Sequence, residues 1–599
     1  MYLSNLKIKN FRCVKDLDIS FQKGVNAFVG KNNTGKSSIL DAIRLVIGQH
    51  TNYFDPIWIT EDDFYKEKGS DRAESFSIEL HFNGLSEKQR VSFFEIIDFD
   101  LASLDKSTAI IRYSASWPIG KNRVTIKRCG GPDVPDMPEV PQHILDNFSV
   151  TYLPALRNVE SALAPGMKSQ LALLLRDITS KSDDDVKSKI TAIVEKSNEE
   201  LSSNDFIKNI SESISTTVEN IAGSDAQKSG IKTAETDFLK ILRTLQIQMD
   251  GEPITGLSSN GLGLNNLLYI AVVLLHLQKV GEEECPLLLV EEPEAHLHPQ
   301  MALALSRYLK NIQKEAKPQI ILTTHSPSLV ADLSIDDVLL LYKKESVLKC
   351  NSLKGSGFSE IEKRMFSRLM DVTRSTLYFA KGVILVEGIS ETILLPAFAE
   401  RLNKDLRKKQ ISVIPICGVS FEIFKRLFNE NVFDIPVAII TDSDPKKKYS
   451  DDIKNWETAY IDWDDVDSLV CDRTKILQNL FNECNNAQVF VSCVTLEYDL
   501  ALAGDNNALV MAQAWENSYY GTPHNFTING VNGKTTKEDK ALYAWRGICL
   551  SNSTSGKGNL ASYLAEELIA KEENGLYKND FIVPSYIKDA INFVCERVV

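Results

Sequence analysis

Residues Gly30-Lys31-Asn32-Asn33-Thr34-Gly35-Lys36-Ser37 fit the spacing G-x-x-x-x-G-K-[ST] at every fixed position. That spacing builds a loop whose backbone N–H groups face phosphates. Gly30, Asn33 and Gly35 shape the loop, and Lys36 neutralises the β- and γ-phosphates. Ser37 can ligate Mg²⁺, and Ser38 follows it into a helix whose N-terminus carries partial positive charge. A second signal lies far downstream. The apolar run Leu287-Leu288-Leu289-Val290 ends in Glu291-Glu292-Pro293-Glu294. Glu291 can hold Mg²⁺ through water, and Glu292 can polarise an attacking water. Further on, Ile320-Ile321-Leu322 leads into Thr323-Thr324-His325-Ser326. A histidine at a strand end is more often a capping or surface residue. Behind the other two motifs, His325 is expected to reach the γ-phosphate. The chemistry these residues point to is binding and hydrolysis of ATP.

A different constellation occupies the second half. Val383-Ile384-Leu385-Val386 delivers Glu387 and Gly388 to a turn, and Glu391 follows one helical turn after Glu387. Val437-Ala438-Ile439-Ile440-Thr441 delivers Asp442-Ser443-Asp444. Carboxylates at the C-terminal ends of two parallel strands meet in one crevice, where α/β sheets bind ligands. Close carboxylates repel, and divalent metal is the simplest counter-charge. Oxygen-only ligands favour Mg²⁺, Mn²⁺ or Ca²⁺ over zinc. A third acidic pair, Glu497 and Asp499, lies in Thr495-Leu496-Glu497-Tyr498-Asp499, and Lys557 sits in a Gly/Ser loop before a helix. The run Lys446-Lys447-Lys448 after Asp444 suits a DNA backbone, although such runs are usually solvated loops.

The elements that must position these residues are an α/β set. Leu3, Leu6, Ile8 and then Leu17, Ile19, Phe21 alternate as strands. Val25–Val29, Ser75–Phe82 and Ala109–Ser116 also read as strands, and Lys36 to Ile47 reads as a helix. From about Val159 to Leu245 apolar residues recur at helical spacing (Leu171, Leu174, Leu175, Ile178), so a helical insertion is expected. The expected division is 1–158 for an N-terminal ATPase lobe, 159–245 for the insertion and 246–355 for the rest of the ATPase. A polar linker is expected at 356–376, a carboxylate domain at 377–500 and a helical tail at 501–599.

The loop, the distant Glu-Glu-Pro-Glu-Ala-His-Leu-His-Pro and Thr-Thr-His-Ser resemble the ABC ATPases of the SMC and recombination-repair type. The resemblance implies ATP held between two heads, with a signature loop from the partner head. Leu257-Ser258-Ser259-Asn260-Gly261-Leu262-Gly263 is the candidate, with Ser259 and Gly261 toward ATP, and it departs from Leu-Ser-Gly-Gly. Glu291 stands where that family more often has Asp, which bears on the speed of hydrolysis more than on binding. The second half resembles a Toprim domain. The two together, with Tyr152-Leu153-Pro154-Ala155-Leu156-Arg157 before the insertion, resemble the OLD (overcoming lysogenization defect) nuclease family. That resemblance implies two divalent ions, Mg²⁺ or Mn²⁺, held by Glu387, Glu391, Asp442, Asp444, Glu497 and Asp499. It implies Glu387 as ligand or general base and Lys557 on the transition-state phosphate. It also implies dimerisation through the insertion, giving a homodimer or tetramer.

The expected function is ATP-regulated, metal-dependent cleavage of DNA, in antiphage defence. Such nucleases act alone, beside a helicase, or beside a retron reverse transcriptase and its RNA–DNA product. A topoisomerase would need a tyrosine nucleophile in a large domain after Toprim, and a primase a zinc module; neither has room or ligands here. An SMC-like ATP-driven clamp with a silent Toprim fold is the non-enzyme alternative. The net charge of −14 argues against a nucleic-acid coat but not against a narrow basic groove. Ten scattered cysteines without Cys-x-x-Cys pairs read as reduced thiols, and Met1-Tyr2-Leu3-Ser4 opens no signal peptide, so a cytoplasmic location is expected. No membrane association is expected, and Leu264 to Leu277 reads as a buried helix.

Overall fold

The computed structural model describes residues 1–47, 57–117, 123–134, 137–155, 159–166, 169–180, 184–222, 231–232, 236–247, 261–279, 281–313, 318–344, 347–416, 421–428, 432–443, 470–482, 484–518, 526–550 and 556–598. They form two compact units. The first is Met1–Phe28, Asn32–Leu329 and Leu341–Cys350; the second is Val29–Lys31, Val330–Leu340 and Asn351–Val599.

Among the described residues, twelve strands run through the first part of the chain: β1 (Tyr2–Phe11), β2 (Val14–Ser20), β3 (Val25–Gly30), β4 (Ser75–Asn83), β5 (Ile97–Asp98) and β6 (Thr108–Ser116), then β7 (Thr125–Gly130), β8 (Phe148–Leu153), β9 (Cys285–Glu291), β10 (Gln319–Thr324), β11 (Val338–Lys344) and β12 (Val347–Ser352). One sheet has the order β2-β1-β4-β6-β5 with β7 on β6, and its pairs are antiparallel. The other has the order β12-β11-β3-β10-β9-β8, in which β8, β9 and β10 are parallel. Strands β3, β9 and β10 are buried almost throughout, as strands covered on both faces must be.

The antiparallel sheet instead alternates. In β4, Phe76, Ile78, Leu80 and Phe82 point into the core, while Ser77, Glu79 and His81 line the other face. There Glu79 lies across from Lys7 on β1 and Arg112 on β6. Arg112 Nε donates to it at 2.7 Å, and His81 adds a short hydrogen bond. The His81 bond, working against burial and helped by Arg112, pulls the Glu79 carboxyl down to about 2. A carboxyl depressed in the folded state stabilises above its unfolded value and loses that contribution as pH falls. Glu79→Gln is therefore expected to cost about 2 kcal/mol at pH 7, allowing for partial exposure. The difference between the two chains should shrink as pH drops from about 5 toward 2. Urea melts of both chains across that range check it.

The helix Lys36–Ile47 follows β3 and packs on β1, β4 and β6 on one side and β8 on the other. That two-sided burial explains why Ile39, Leu40, Ala42, Ile43, Leu45, Val46 and Ile47 leave no polar stripe. Helices Val159–Leu163, Gln170–Ser180, Asp184–Ser203, Asp205–Ala222 and Phe238–Thr244 follow. The helix Leu262–Lys279 is long and apolar enough to cross a bilayer by composition. It packs, however, against Gln170–Ser180, Val159–Leu163 and β9, with Val273, Leu274 and Leu277 fully buried.

The second unit is built on β13 (Gly382–Val386), β14 (Ile411–Pro415), β15 (Val437–Thr441) and β16 (Ala487–Val491). All pairs are parallel, in the order β14-β13-β15-β16. The chain leaves β13 toward β14 and returns to β15 on the other side, so the β13/β15 pair is the switch point of the sheet. Helices Ile389–Arg401, Leu496–Leu502, Asn507–Asn517, Lys537–Trp545, Gly556–Ile569 and Ser585–Arg597 cover it and share one core that includes Phe398, Trp515 and Trp545. Each such fully buried side chain contributes about 1.5–3 kcal/mol.

The expected linker at 356–376 is not a linker. Ser359 and Glu362 form a capping box at the start of helix Glu360–Leu369. Phe366 packs on Phe358 and Phe424, fastening the helix to the second unit. Ile361, Met365, Phe366 and Leu369 recur at helical spacing among charged residues, so the helix carries an apolar period although only Phe366 is buried.

Candidate functional site

The phosphate loop leaves β3 and turns through Asn33 (φ 62°) and Gly35 (φ 81°) into the helix Lys36–Ile47. A Cβ at Gly35 would meet Cys13 Sγ at 2.6 Å and Leu348 at 3.3 Å, so the turn requires glycine. Gly30 is buried at the end of β3, Ser37 is exposed, and Ser38 accepts a weak bond from Cys13 Sγ at 3.8 Å. Lys36 is buried, with Nζ 3.5 Å from Thr34 Oγ1 and 3.4 Å from His325 Nδ1. Burial pulls its ammonium down to about 8, against the opposing pull of Glu292 and Glu294. A phosphate bound beside Nζ would favour the charged form again.

Glu291 ends β9 beside the end of β10. The next residue, Glu292, sits at φ 42°, an uncommon backbone for a non-glycine residue, held there by its N–H bonding Thr323 O at 3.0 Å. Its carboxylate lies 3.6 Å from His325 Nε2. Glu294 accepts from Thr324 Oγ1 at 2.6 Å and from the His325 N–H at 3.1 Å, which fixes the backbone under the histidine. Lys36, Glu292 and His325 are thus brought together. Asn266, on the helix Leu262–Lys279, donates to Ala295 O at 2.9 Å, tying the helix after the signature segment to the turn after Glu294. Gly261, exposed, precedes that helix; Ser259 lies outside the described residues.

At the C-terminal edge of the second sheet, Glu387 Oε1 accepts from Thr441 Oγ1, from the Asp442 N–H at 3.2 Å and from Arg473 at 3.0 Å. Asp442 accepts from Ser492 Oγ at 3.1 Å. Glu391, on the helix Ile389–Arg401, is raised by burial and by the charges of Glu497 and Glu387. Glu497 is buried; burial raises its carboxyl, but Lys557 at 2.9 Å outweighs this and holds it ionised. Cys549 Sγ donates to the other oxygen of Glu497 at 3.2 Å. Burial lowers the Lys557 ammonium, and Glu497, Cys549 and Asp442 together raise it above the usual lysine range.

Both oxygens of Asp499 accept backbone N–H groups, Cys493 and Val494, each at 3.0 Å. These bonds shape the turn after β16. Asp444 and Lys446-Lys447-Lys448 lie outside the described residues. Among the described residues no three His, Cys, Asp or Glu side chains converge closely enough to hold an ion. The donor set nonetheless fits a hard divalent cation: Glu387, Glu391, Asp442 and Glu497 offer only oxygen, Glu391 feels the charges of Glu497 and Glu387, and Asp442 and Glu497 both act on Lys557. Arg473 and Lys557 supply counter-charge to Glu387 and Glu497.

Lys557→Met would leave Glu497 buried without its cation. We expect about 2 kcal/mol of destabilisation, less than for a fully buried pair because Lys557 is half exposed. Adding Glu497→Gln should restore most of it in chemical denaturation.

Sequence reasoning missed Arg473 and Ser492, which bond Glu387 and Asp442. Arg473 opens the helix Asp472–Phe481. Thr495, at the start of the helix Leu496–Leu502, buries a hydroxyl that has no hydrogen-bond partner among the described residues.

Residues 1–126 and 137–330 match the family described as "AAA ATPase domain", more than half of the chain. Residues 378–444 match "Overcoming lysogenization defect protein-like, TOPRIM domain". The chain is 25% identical over 462 residues to an OLD nuclease of Thermus scotoductus, covering 74% of this chain and 82% of that one. It is 21% identical over 460 residues to Endonuclease GajA of Bacillus cereus, covering 75% and 76%. Among solved structures, the C-terminal region of the Burkholderia pseudomallei OLD protein is similar at 24% identity and a TM-score of 0.25, over 37% of this chain and 100% of that one.

Proposed function

The chain belongs to the AAA ATPase domain family and carries an OLD-like Toprim domain, and from that premise we infer that it is an ATP-regulated, metal-dependent DNA endonuclease. The observation that carries the reading is the carboxylate group at the switch point of the second sheet, where Glu387 and Asp442 end adjacent strands.

Glu387, Glu391, Asp442 and Glu497, with Asp444, would hold Mg²⁺ or Mn²⁺. Bound there, two such ions would activate water and stabilise the leaving oxygen of a phosphodiester. The chain's own residues do the rest. Arg473 and Thr441 fix the rotamer of Glu387, and Ser492 fixes Asp442. Lys557 stands beside Glu497 and within the field of Asp442, where it can move onto a scissile phosphate. In the ATPase unit, Lys36 would take the phosphates, Ser37 and Glu291 would hold Mg²⁺, Glu292 would orient water, and His325, beside Glu292, would face the γ-phosphate. Ser259 and Gly261 of a partner head would close the nucleotide site.

A homodimer or tetramer fits this arrangement. The helix Asp205–Ala222 exposes Phe206, Ile214 and Val218 at spacings of one helical face. The role we propose is antiphage defence in the cytoplasm, alone or beside a helicase or a retron reverse transcriptase.

Supercoiled plasmid with Mg²⁺ or Mn²⁺, with and without ATP, tests the reading. EDTA should abolish cutting and leave DNA binding, and the ATP lanes give the sign of regulation. DNA bound and never cut, with ATP turned over, would instead favour a clamp.

A further inference from the structure

The last helix, Ser585–Arg597, packs on β13, β15 and β16. Its C-terminal half meets the beginning of β13: a Cβ at Gly382 would lie 2.5 Å from Val594 and 2.9 Å from Val598. Glu387 follows the other end of that strand. From Tyr586 back to Val594 the helix spans about 12 Å, comparable to the length of β13. The helix therefore runs antiparallel to the strands, and its first turn, with Tyr586, reaches the edge that carries the carboxylates. The ring of Tyr586 packs against the core. Its hydroxyl oxygen is buried and has no hydrogen-bond partner among the described residues. Burial first, and then the charges of Asp442, Asp499, Glu391 and Glu497, hold its proton well above the usual phenol range.

A buried hydroxyl without a partner costs about 1–3 kcal/mol. This one feels the charge of four carboxylates and bonds none of them, which leaves its hydrogen bond to an oxygen brought into the crevice. A neutral phenol suits the place: it donates to an anion and adds no charge to a crowded acidic cluster. The anion the site takes, on the nuclease reading that this inference rests on, is a phosphodiester.

We propose that Tyr586 is a substrate-contacting residue of the nuclease site, whose hydroxyl donates a hydrogen bond to a non-bridging oxygen of the DNA phosphate held beside Lys557. Tyr586→Phe removes the oxygen alone and keeps the ring in place.

The test compares Tyr586→Phe with the parent chain in three measurements. The first is thermal unfolding without metal or DNA. The second is binding of a fluorescein-labelled oligothymidylate of about ten nucleotides in Ca²⁺. The third is single-turnover plasmid cleavage in Mg²⁺ or Mn²⁺. The expected result is a melting temperature equal to or above the parent's, affinity about tenfold weaker, and cleavage at least tenfold slower. Equal affinity overturns the proposal, whatever cleavage does. A melting temperature several degrees lower also overturns it, because the hydroxyl would then already have been bonded within the fold. A parent that binds the oligonucleotide tighter than the variant, yet cuts no better than Glu387→Ala, sinks the nuclease reading while the tyrosine contact stands.

Discussion

Lys36→Ala is expected to bind ATP about 30-fold or more weakly than the parent chain, the cost of removing one side of a buried charge pair. Nζ of Lys36 is the cation of the phosphate loop, buried beside Thr34 and His325. Burial has already pulled it down to about 8, and phosphate restores its preference for the proton. The sign of the pH dependence follows. Only the ammonium form attracts phosphate, so the affinity of the parent for ATP should fall as pH rises through about 8. That fall should be absent from Lys36→Ala. Isothermal titration at several pH values reads both effects. Undiminished affinity in the variant would mean that the loop does not hold the nucleotide.

The second large effect concerns Asp442. Asp442→Asn keeps the shape of the side chain and an oxygen for Ser492, and changes only its charge. We expect an unchanged melting temperature and cleavage slower by on the order of 100-fold or more, because on the proposed reading a ligand of the metal pair is lost. A variant that melts early would show Asp442 to be structural. One that cuts at the parent's rate would remove it from the chemistry.

The legible parts of the fold are those with local signals. β3 and the helix after it are marked by the phosphate loop between them. β13 and β15 are continuous apolar runs, Gly382–Val386 and Val437–Thr441, buried at every position as central parallel strands are. The edge strands β14 and β16 are only partly buried, and Ile411–Pro415 and Ala487–Val491 carry no comparable run. β8 lies in a stretch that caught attention as a motif and not as a strand. The helix Glu360–Leu369 is marked by the capping residues Ser359 and Glu362 and by Ile361, Met365 and Leu369 at helical spacing, but its many charged residues give it the polarity of a linker.

The candidate sites divide in the same way. Glu292, His325, Glu387 and Asp442 directly follow strand ends and Lys36 opens the helix after the phosphate loop, so motif and element together place them. Arg473 and Tyr586 come to the carboxylates through packing. One lies at the start of a helix that follows β15 at a distance, the other on a helix antiparallel to the sheet. Nothing within a few residues of either marks it. Asp499 carries a contact of another kind that acidic spacing does not announce: its oxygens hold the backbone of Cys493 and Val494.

The most direct test of the central claim is plasmid cleavage by the parent chain beside Glu387→Ala, with Mg²⁺ or Mn²⁺ present. Nicked or linear plasmid from the parent and intact supercoiled plasmid from the variant is the predicted result. Equal cutting by both would contradict the assignment of the Toprim carboxylates as the nuclease site.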